Sequence, residues 1–216
     1  FVGGFTFEAA EAVCNPDGKL DILESLTSLL NNSLLRQEET ADGEPRFGML
    51  ETIRAYALER LSAAGEIETL RRGHARYYGD MIINDIGFFG LYTENALDWL
   101  NWIEREHDNI RATLTWSLST PQGIELGVIV ICMSFWFWYR RGYFIEGSMW
   151  AERVLAAPAL QVASPLRAMA LMPSGMLAVW QGKQDIGLAQ LQESLAIVQK
   201  LEDKQWLAPV LMGNGV

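Results

Sequence analysis

The sequence predicts a mainly α-helical protein with one small β-hairpin near its amino-terminal end. Apolar residues recur every three or four positions through most of the 216-residue chain, which indicates amphipathic helices. Two short apolar segments instead flank one polar connection, Thr40 to Pro45, which is typical of a hairpin loop. Half of the residues are apolar, so the chain can bury a sizeable core. The length allows two domains, and we place them at residues 1–70 and 71–216.

The first two predicted helices have clear start and stop residues. Thr6 is a good N-cap for the helix that follows it, and the run from Asn15 to Gly18 ends that helix. The second helix is predicted from Leu20 to Asn31, with five leucines at helical spacing: Leu20, Leu23, Leu26, Leu29 and Leu30. It precedes the hairpin, which is the position of the recognition helix in a winged-helix domain.

A strand that leads directly into a helix follows the hairpin loop. Phe47 and Met49 alternate with Arg46 and Gly48, as in a half-buried strand. Apolar residues then recur at helical spacing at Leu50, Ile53, Ala57 and Leu61. A strand that returns from a hairpin into an amphipathic helix ends a winged-helix domain. The predicted fold is therefore a winged-helix domain followed by an α-helical array.

The rest of the chain is predicted to form helices in pairs. Apolar residues repeat from Trp99 to Leu118, and a break at residues 121–123 precedes an apolar helix at 126–139. That apolar run is too short to span a bilayer, so we expect a buried core helix and no membrane contact. A last pair is predicted at residues 166–181 and 186–201, and a further helix begins near Trp206.

The last helix pair indicates a tetratricopeptide-like superhelical array. Ala189 and Ala196 lie seven residues apart and match the small positions at which the two helices of such a repeat pack closely. The match is partial, because the turn is longer than the consensus and Pro173 lies inside the first helix.

Charge is distributed unevenly between the two predicted domains. Residues 1–70 hold five bases and thirteen acids, a net charge of −8, whereas residues 71–216 hold twelve bases and fourteen acids, a net charge of −2. The helix before the hairpin offers only Lys19 as a base. Duplex DNA is bound largely through Lys and Arg contacts to phosphates. We therefore expect no direct nucleic-acid binding by this fragment.

Cysteine usage favours a reducing compartment. Cys14 and Cys132 are far apart in sequence and each lies in an apolar run, so we expect two buried free thiols and a cytoplasmic location.

Four segments in order resemble the STAND-type signalling ATPases of bacteria, especially the LuxR-type ATP-binding transcriptional regulators. These segments are Phe1–Cys14, Met49–Leu61, Glu106–Trp116 and Arg141–Trp150. The resemblance implies that the chain is an internal piece of a longer protein, with a nucleotide-binding domain before the winged helix. It also implies ATP or ADP as the ligand of that parent protein, and no cofactor in this fragment.

The resemblance further suggests a site that senses the nucleotide state. Related animal and plant proteins carry a Met-His-Asp motif where the winged-helix strand meets the next helix, and its His contacts the phosphates of ADP. The equivalent positions here are Met49, Leu50 and Glu51, with Arg54 one turn on. Leu50 cannot donate a hydrogen bond to phosphate. The simpler interpretation is that Leu50 packs in the core and Glu51 favours the helix start.

Other polar residues give weaker indications. Glu104 and His107 have a spacing that metal sites use, but no second pair accompanies them. His74 follows two arginines and is expected on the surface, with a basic patch facing the nucleotide-binding domain as the alternative. Asp108 and Asn109 are expected to break the helix and to cap its second part.

Three functions remain open on the sequence alone, one of them an enzyme or metal protein that would use Glu104 and His107. The chain has no G-x-x-x-x-G-K-S/T motif and no G-x-S-x-G or H-E-x-x-H motif, so it is expected not to be an enzyme. The favoured hypothesis is a non-catalytic regulatory region, whose winged helix docks on the nucleotide-binding domain and whose repeats bind a protein or small-molecule effector. The alternative is a DNA-binding winged-helix transcription factor with a helical dimerisation domain.

Overall fold

The computed structural model describes residues 1–39, 43–86 and 93–201. They form two compact units, one of residues 1–78 and 104–113, and one of residues 79–103 and 114 onward. The described residues are mainly helical with one two-stranded hairpin, which confirms the predicted fold class at that level. The domain boundary after residue 70 stays a prediction.

Polar caps define the helices at the start of the first unit. Thr6 Oγ1 accepts a hydrogen bond from the backbone N–H of Ala9 at 3.2 Å, which starts α1 as predicted. Asp21 caps α2 in the same way, since its Oδ1 accepts from Glu24 N at 2.8 Å. The elements of this unit are α1 (Phe7–Cys14), α2 (Ile22–Asn31), β1 (Arg36–Glu39), β2 (Pro45–Gly48), α3 (Glu51–Ala64) and α4 (Ile67–Asp80), whose last two residues belong to the second unit.

The hairpin pairs β1 with β2 in an antiparallel register that places Arg36 opposite Gly48. Phe5 extends this small sheet, because its N–H donates to Phe47 O at 2.9 Å and its carbonyl accepts from Phe47 N at 2.8 Å. A core cluster forms under the sheet from Phe5, Ala9, Ala10, Ile22, Leu26, Leu35 and Phe47. Most of the loop, residues 40–42, lies outside the described residues.

Leucines at helical spacing are not all covered, and the prediction that Leu50 packs in the core is wrong. Leu20 and Leu23 are 54% and 66% exposed, so only the later part of the α2 leucine series faces the core. In α3 no residue is fully buried, and Leu50, expected in the core, is 45% exposed. Helical spacing identifies one face of a helix, but it does not determine whether another element covers that face.

The second unit consists of helices after a π-helical turn at Met81–Ile86. They are α5 (Ala96–Arg105), α6 (His107–Ser119), α7 (Ile124–Arg141), α8 (Phe144–Leu155), α9 (Pro165–Trp180) and α10 (Gln184–Leu201). The end of α5 and the first seven residues of α6 are the exceptions, because they belong to the first unit. The helix expected near Trp206 lies outside the described residues.

Helix α7 has the character of a core helix. Within the described residues, the stretch Pro121–Arg141 is the one helix apolar and long enough to cross a membrane by length and composition. However, 56% of its most apolar window is buried inside the protein, and Phe135, Phe137 and Trp138 are almost fully covered. This burial supports the predicted core helix.

Helices α9 and α10 pack closely, but through other residues than predicted. Ala189 and Ala196 are exposed. The contact is made two residues earlier in each case, at Gly187 and Ser194, and Ser194 Oγ donates to Ala168 O at 2.7 Å. A Cβ atom on Gly187 would lie 2.6 Å from Gly175 O, so both glycines allow the backbones to approach. The tetratricopeptide-like identity of this pair remains a proposal.

Candidate nucleic-acid interface

Helix α2 presents exposed polar side chains directly before the hairpin, together with one exposed carboxylate, Glu24. Ser25, Thr27, Ser28 and Asn31 are exposed along it. Two of the hydroxyls donate to the preceding turn, Ser25 Oγ to Asp21 O and Thr27 Oγ1 to Leu23 O, each at 2.7 Å. Their oxygen lone pairs remain able to accept hydrogen bonds. Such side chains can contact phosphates and base edges in a groove.

The hairpin adds one exposed base to this surface. Strand β1 is exposed along its whole length and carries Arg36 and Gln37, followed by two glutamates. Lys19, which precedes α2, is exposed but forms an ion pair with Asp17 at 2.6 Å. Arg46 in β2 is buried. The positive charge available for phosphates in residues 17–48 therefore comes from Lys19 and Arg36.

Arg46 belongs to a buried polar network that the sequence pattern did not reveal. The expected alternation placed Arg46 on the solvent side of β2, but its guanidinium donates to Glu106 Oε1 and both residues are buried. Buried charges are tolerated when they are paired and hydrogen-bonded. Glu106 lies in the short break between α5 and α6, within the first unit.

Asn109 is the centre of this network, and it uses all four of its hydrogen-bonding positions. Its Oδ1 accepts from Val2 N at 2.8 Å and lies 3.1 Å from His74 Nε2. Its Nδ2 donates to Gly4 O at 2.8 Å and to Glu106 Oε2 at 2.7 Å. The donor at Val2 fixes which end of the amide is oxygen, so Nε2 of His74 must carry the proton. The predicted role of Asn109 as a helix cap is wrong.

Burial keeps the other titratable groups of the network neutral. Desolvation lowers the pKa of His74 from 6.5 to about 4. The pKa of Tyr78 is raised above its usual value, mainly by desolvation and to a smaller extent by the charge of Glu106. His74 is therefore a buried histidine and not the surface residue that the sequence suggested. Its ring lies 4.7 Å from that of Tyr78, centroid to centroid.

Glycine is required where the amino-terminal segment meets β2. Gly4 has a φ of +96°, and a Cβ atom there would lie 3.2 Å from Phe47 O. Its carbonyl is one of the groups that Asn109 binds. Two of the segments that suggested the resemblance, Phe1–Cys14 and Glu106–Trp116, are therefore in direct contact within this unit.

The predicted nucleotide-sensing residues lie on a separate, more exposed part of the unit. Met49 packs against the first core cluster, whereas Leu50 is exposed and precedes α3. Arg54 donates to both carboxylate oxygens of Glu51, at 2.9 and 2.6 Å, and this contact lowers the pKa of Glu51. Glu51 is thus engaged within its own helix. The sensing role of these four residues stays a prediction.

The remaining candidate residues do not form a site in the part of the chain that the structure describes. No group of three or more His, Cys, Asp or Glu side chains could hold a metal there. Glu104 is exposed and His107 is buried. Asp108 is exposed and pairs with Arg111 at 2.8 Å. Cys132 is a buried thiol as expected, but Cys14 is exposed.

Comparison with known proteins identifies the first unit. Residues 1–62 match the family model described as a winged helix-turn-helix domain. Helices α1 and α2 followed by the β1–β2 hairpin have that architecture. This part of the chain is a winged helix-turn-helix domain. The matched range ends within α3, so the winged helix-turn-helix match does not include His74, Glu106 or Asn109.

The similar proteins are named after a helix-turn-helix domain. The chain is 30% identical over 228 aligned positions to candidate HTH-type transcriptional regulators of Mycobacterium bovis and of two strains of Mycobacterium tuberculosis. The alignment covers 100% of this chain, which spans only 25% of the length of these curated relatives. No solved structure matches the chain.

These matches correct one expectation. The acidic composition suggested that the fragment does not bind nucleic acid directly. A winged helix-turn-helix domain in a chain similar to HTH-type transcriptional regulators indicates DNA binding instead. Net charge alone does not decide such binding, because recognition also depends on which side chains the helix and hairpin present.

Proposed function

We propose that this chain is the DNA-contacting and dimerising region of a transcriptional regulator. The winged helix-turn-helix architecture carries this proposal, because it places α2 and an exposed hairpin where such domains meet a duplex. The helices that follow would serve dimerisation, since paired half-sites are read by paired domains. On this proposal the fragment is not an enzyme, and it acts in the cytoplasm, where bacterial DNA lies.

The chemistry of the surface sets the expected strength of binding. Neutral polar side chains on α2 can contact base edges and phosphates, while Lys19 and Arg36 provide the positive charge and Glu24, Glu38 and Glu39 oppose it. Each phosphate neutralised contributes about −0.9 to the slope of log affinity against log salt. We therefore expect modest affinity and a slope of about −2.

Fluorescence anisotropy with a labelled duplex across a range of KCl concentrations tests this function. Arg36→Ala should weaken binding and reduce the salt slope by about 1. The matched control is Arg60→Ala, which removes an exposed base from α3 and should leave the slope unchanged. An equal loss in both variants, or the absence of salt-dependent binding, would contradict the assignment of α2 and the hairpin as the interface.

A second function rests on the exposed apolar side chains of the first unit. Leu20, Leu23, Leu50 and Tyr56 are 45 to 66% exposed in a region with a net charge of −8. Such a surface suits docking on another domain. In this second proposal, the winged helix docks on a nucleotide-binding domain of a STAND-type parent, and tetratricopeptide-like repeats bind an effector.

The parent protein separates the two functions. If the second one holds, the purified parent should hydrolyse ATP or retain bound ADP. Its affinity for ADP should also change when Glu51→Gln or Arg54→Ala breaks their pair. A parent that neither binds nor hydrolyses nucleotide would remove this function and leave the first intact.

A further inference from the structure

Residues 104–113 belong to the winged-helix unit although they lie far downstream of it in sequence. The family match ends at residue 62, but Glu106 and Asn109 are packed into the same unit as the hairpin. The part of the chain that the match covers is therefore not the complete structural unit.

Two side chains of this segment hold three different parts of the winged helix. Glu106 binds Arg46 of the hairpin strand β2. Asn109 binds the backbone of Val2 and Gly4 in the amino-terminal segment and His74 of α4. Asn109 is 0% exposed and Glu106 is 3% exposed, so water does not replace these bonds easily.

The held parts are the ones that position the hairpin. Strand β2 is bonded to Phe5 by two backbone hydrogen bonds, and Phe5 follows directly after the residues that Asn109 binds. Release of Glu106 would leave the Arg46 guanidinium buried without its carboxylate, which is a costly state. The local response is to open β2 and let Arg46 reach water.

We propose that residues 104–113 are a strap that keeps the wing hairpin ordered, so that displacement of this segment releases the wing. The strap contacts β2 at Arg46 and the amino-terminal segment at Val2 and Gly4. These contacts are charge-assisted and amide hydrogen bonds, and a small movement of α6 would break them together. Order of the wing is thereby controlled from outside the winged helix-turn-helix domain. This inference does not depend on DNA binding.

Hydrogen exchange of the full chain, followed by mass spectrometry, tests the strap directly. Glu106→Gln and Asn109→Ala should accelerate exchange in peptides containing Phe5 and Phe47 about tenfold or more. Exchange in α9 and α10 should stay at the wild-type rate. Asp108→Asn is the matched control, because it breaks an exposed ion pair in the same turn of α6 and should leave the hairpin unchanged.

A second variant keeps the test decisive if Glu106→Gln does not fold. The double variant Arg46→Met/Glu106→Met removes both charges, so neither is left buried and unpaired. The hairpin of the folded double variant should exchange near the wild-type rate, because apolar side chains replace a buried ion pair at little cost. Asn109→Ala added to this double variant should accelerate exchange again, because it removes the bonds to Val2 and Gly4. Wild-type exchange in the hairpin of folded Glu106→Gln or of Asn109→Ala, or equal acceleration in α9 and α10, would overturn the proposal.

Discussion

Asn109 shows how much of the first unit depends on one side chain. Its amide satisfies a backbone N–H, a backbone carbonyl, a carboxylate and a histidine at the same time. No residue of similar size offers two donors and two acceptors in one plane, since aspartate has acceptors only when ionised. The network therefore requires asparagine at this position.

Asn109→Asp should destabilise the first unit by about 3 kcal/mol or more, because it places a second carboxylate beside buried Glu106 and removes the donors to it and to Gly4. The eight tryptophans all lie at residue 99 or later and outside 104–113, so their fluorescence does not report on this unit. The slowest-exchanging amides of α1 and β2 provide the measurement. Asn31→Asp, on the exposed end of α2, should change them little.

His74 should give the first unit a pH dependence of known sign. Its pKa is about 4 in the folded state against an ordinary value of 6.5, so between these values the unfolded chain binds more protons. Stability contributed by neutral His74 is complete above pH 6.5 and is lost as the pH falls toward 4.

To test this, the exchange rates of the β2 amides are measured in the wild type and in His74→Gln at pH values from 7 to 4.5. The rates are corrected for the intrinsic exchange rate at each pH. His74→Gln keeps an N–H donor for Asn109 but does not titrate, so its stability should fall less over this range. A variant with the same pH dependence as the wild type would show that other groups cause the loss.

Among the secondary-structure elements, α9 and α10 illustrate how a helix pair is specified. Gly175 and Gly187 face each other so closely that either Cβ atom would meet the backbone carbonyl of the other glycine. A glycine in a helix costs stability relative to alanine, by about 1 kcal/mol. It is tolerated here because it allows the backbones to approach and the surrounding side chains to pack.

Gly187→Ala should therefore destabilise the second unit by about 1 to 3 kcal/mol, although alanine is the better helix former. Urea unfolding followed by tryptophan fluorescence measures this effect, since the tryptophans report on that unit. Ala189→Ser, two residues away on the exposed side, is the control and should shift the midpoint very little. A stabilised Gly187→Ala variant would mean that the two helices can separate without cost.

Across the full chain, two features act in opposite directions on association between copies: the net charge of −10 disfavours it and the exposed apolar side chains favour it. Charge repulsion keeps copies apart at low salt, while exposed leucines favour association once salt screens the charge. Association between copies should therefore increase as salt rises, whereas DNA binding weakens as salt rises.

We therefore expect concentration-dependent association and binding of an apolar dye, both increasing from low to high salt. Leu20→Ser/Leu23→Ser should reduce both, because it removes two exposed apolar side chains that lie three residues apart. Analytical ultracentrifugation at two salt concentrations makes the comparison. Association that weakens with salt would indicate contacts between charges instead.

The sequence by itself determined the local structure. The cap at Thr6, the hairpin, the helices and the core position of α7 follow from side-chain chemistry and spacing over a few residues, although α2 begins after Asp21 and not at Leu20. Those interactions are short in sequence, so a local pattern contains them.

Only the tertiary structure decided which faces are covered and which polar residues meet. Arg46 and Glu106 are 60 residues apart, and Val2 and Asn109 are 107 apart, so no local period relates them. Leu50 and Ala189 have the spacing of buried residues yet remain exposed, because burial requires a second surface that local spacing does not describe. The strap on the winged helix could be found only by placing those distant segments together.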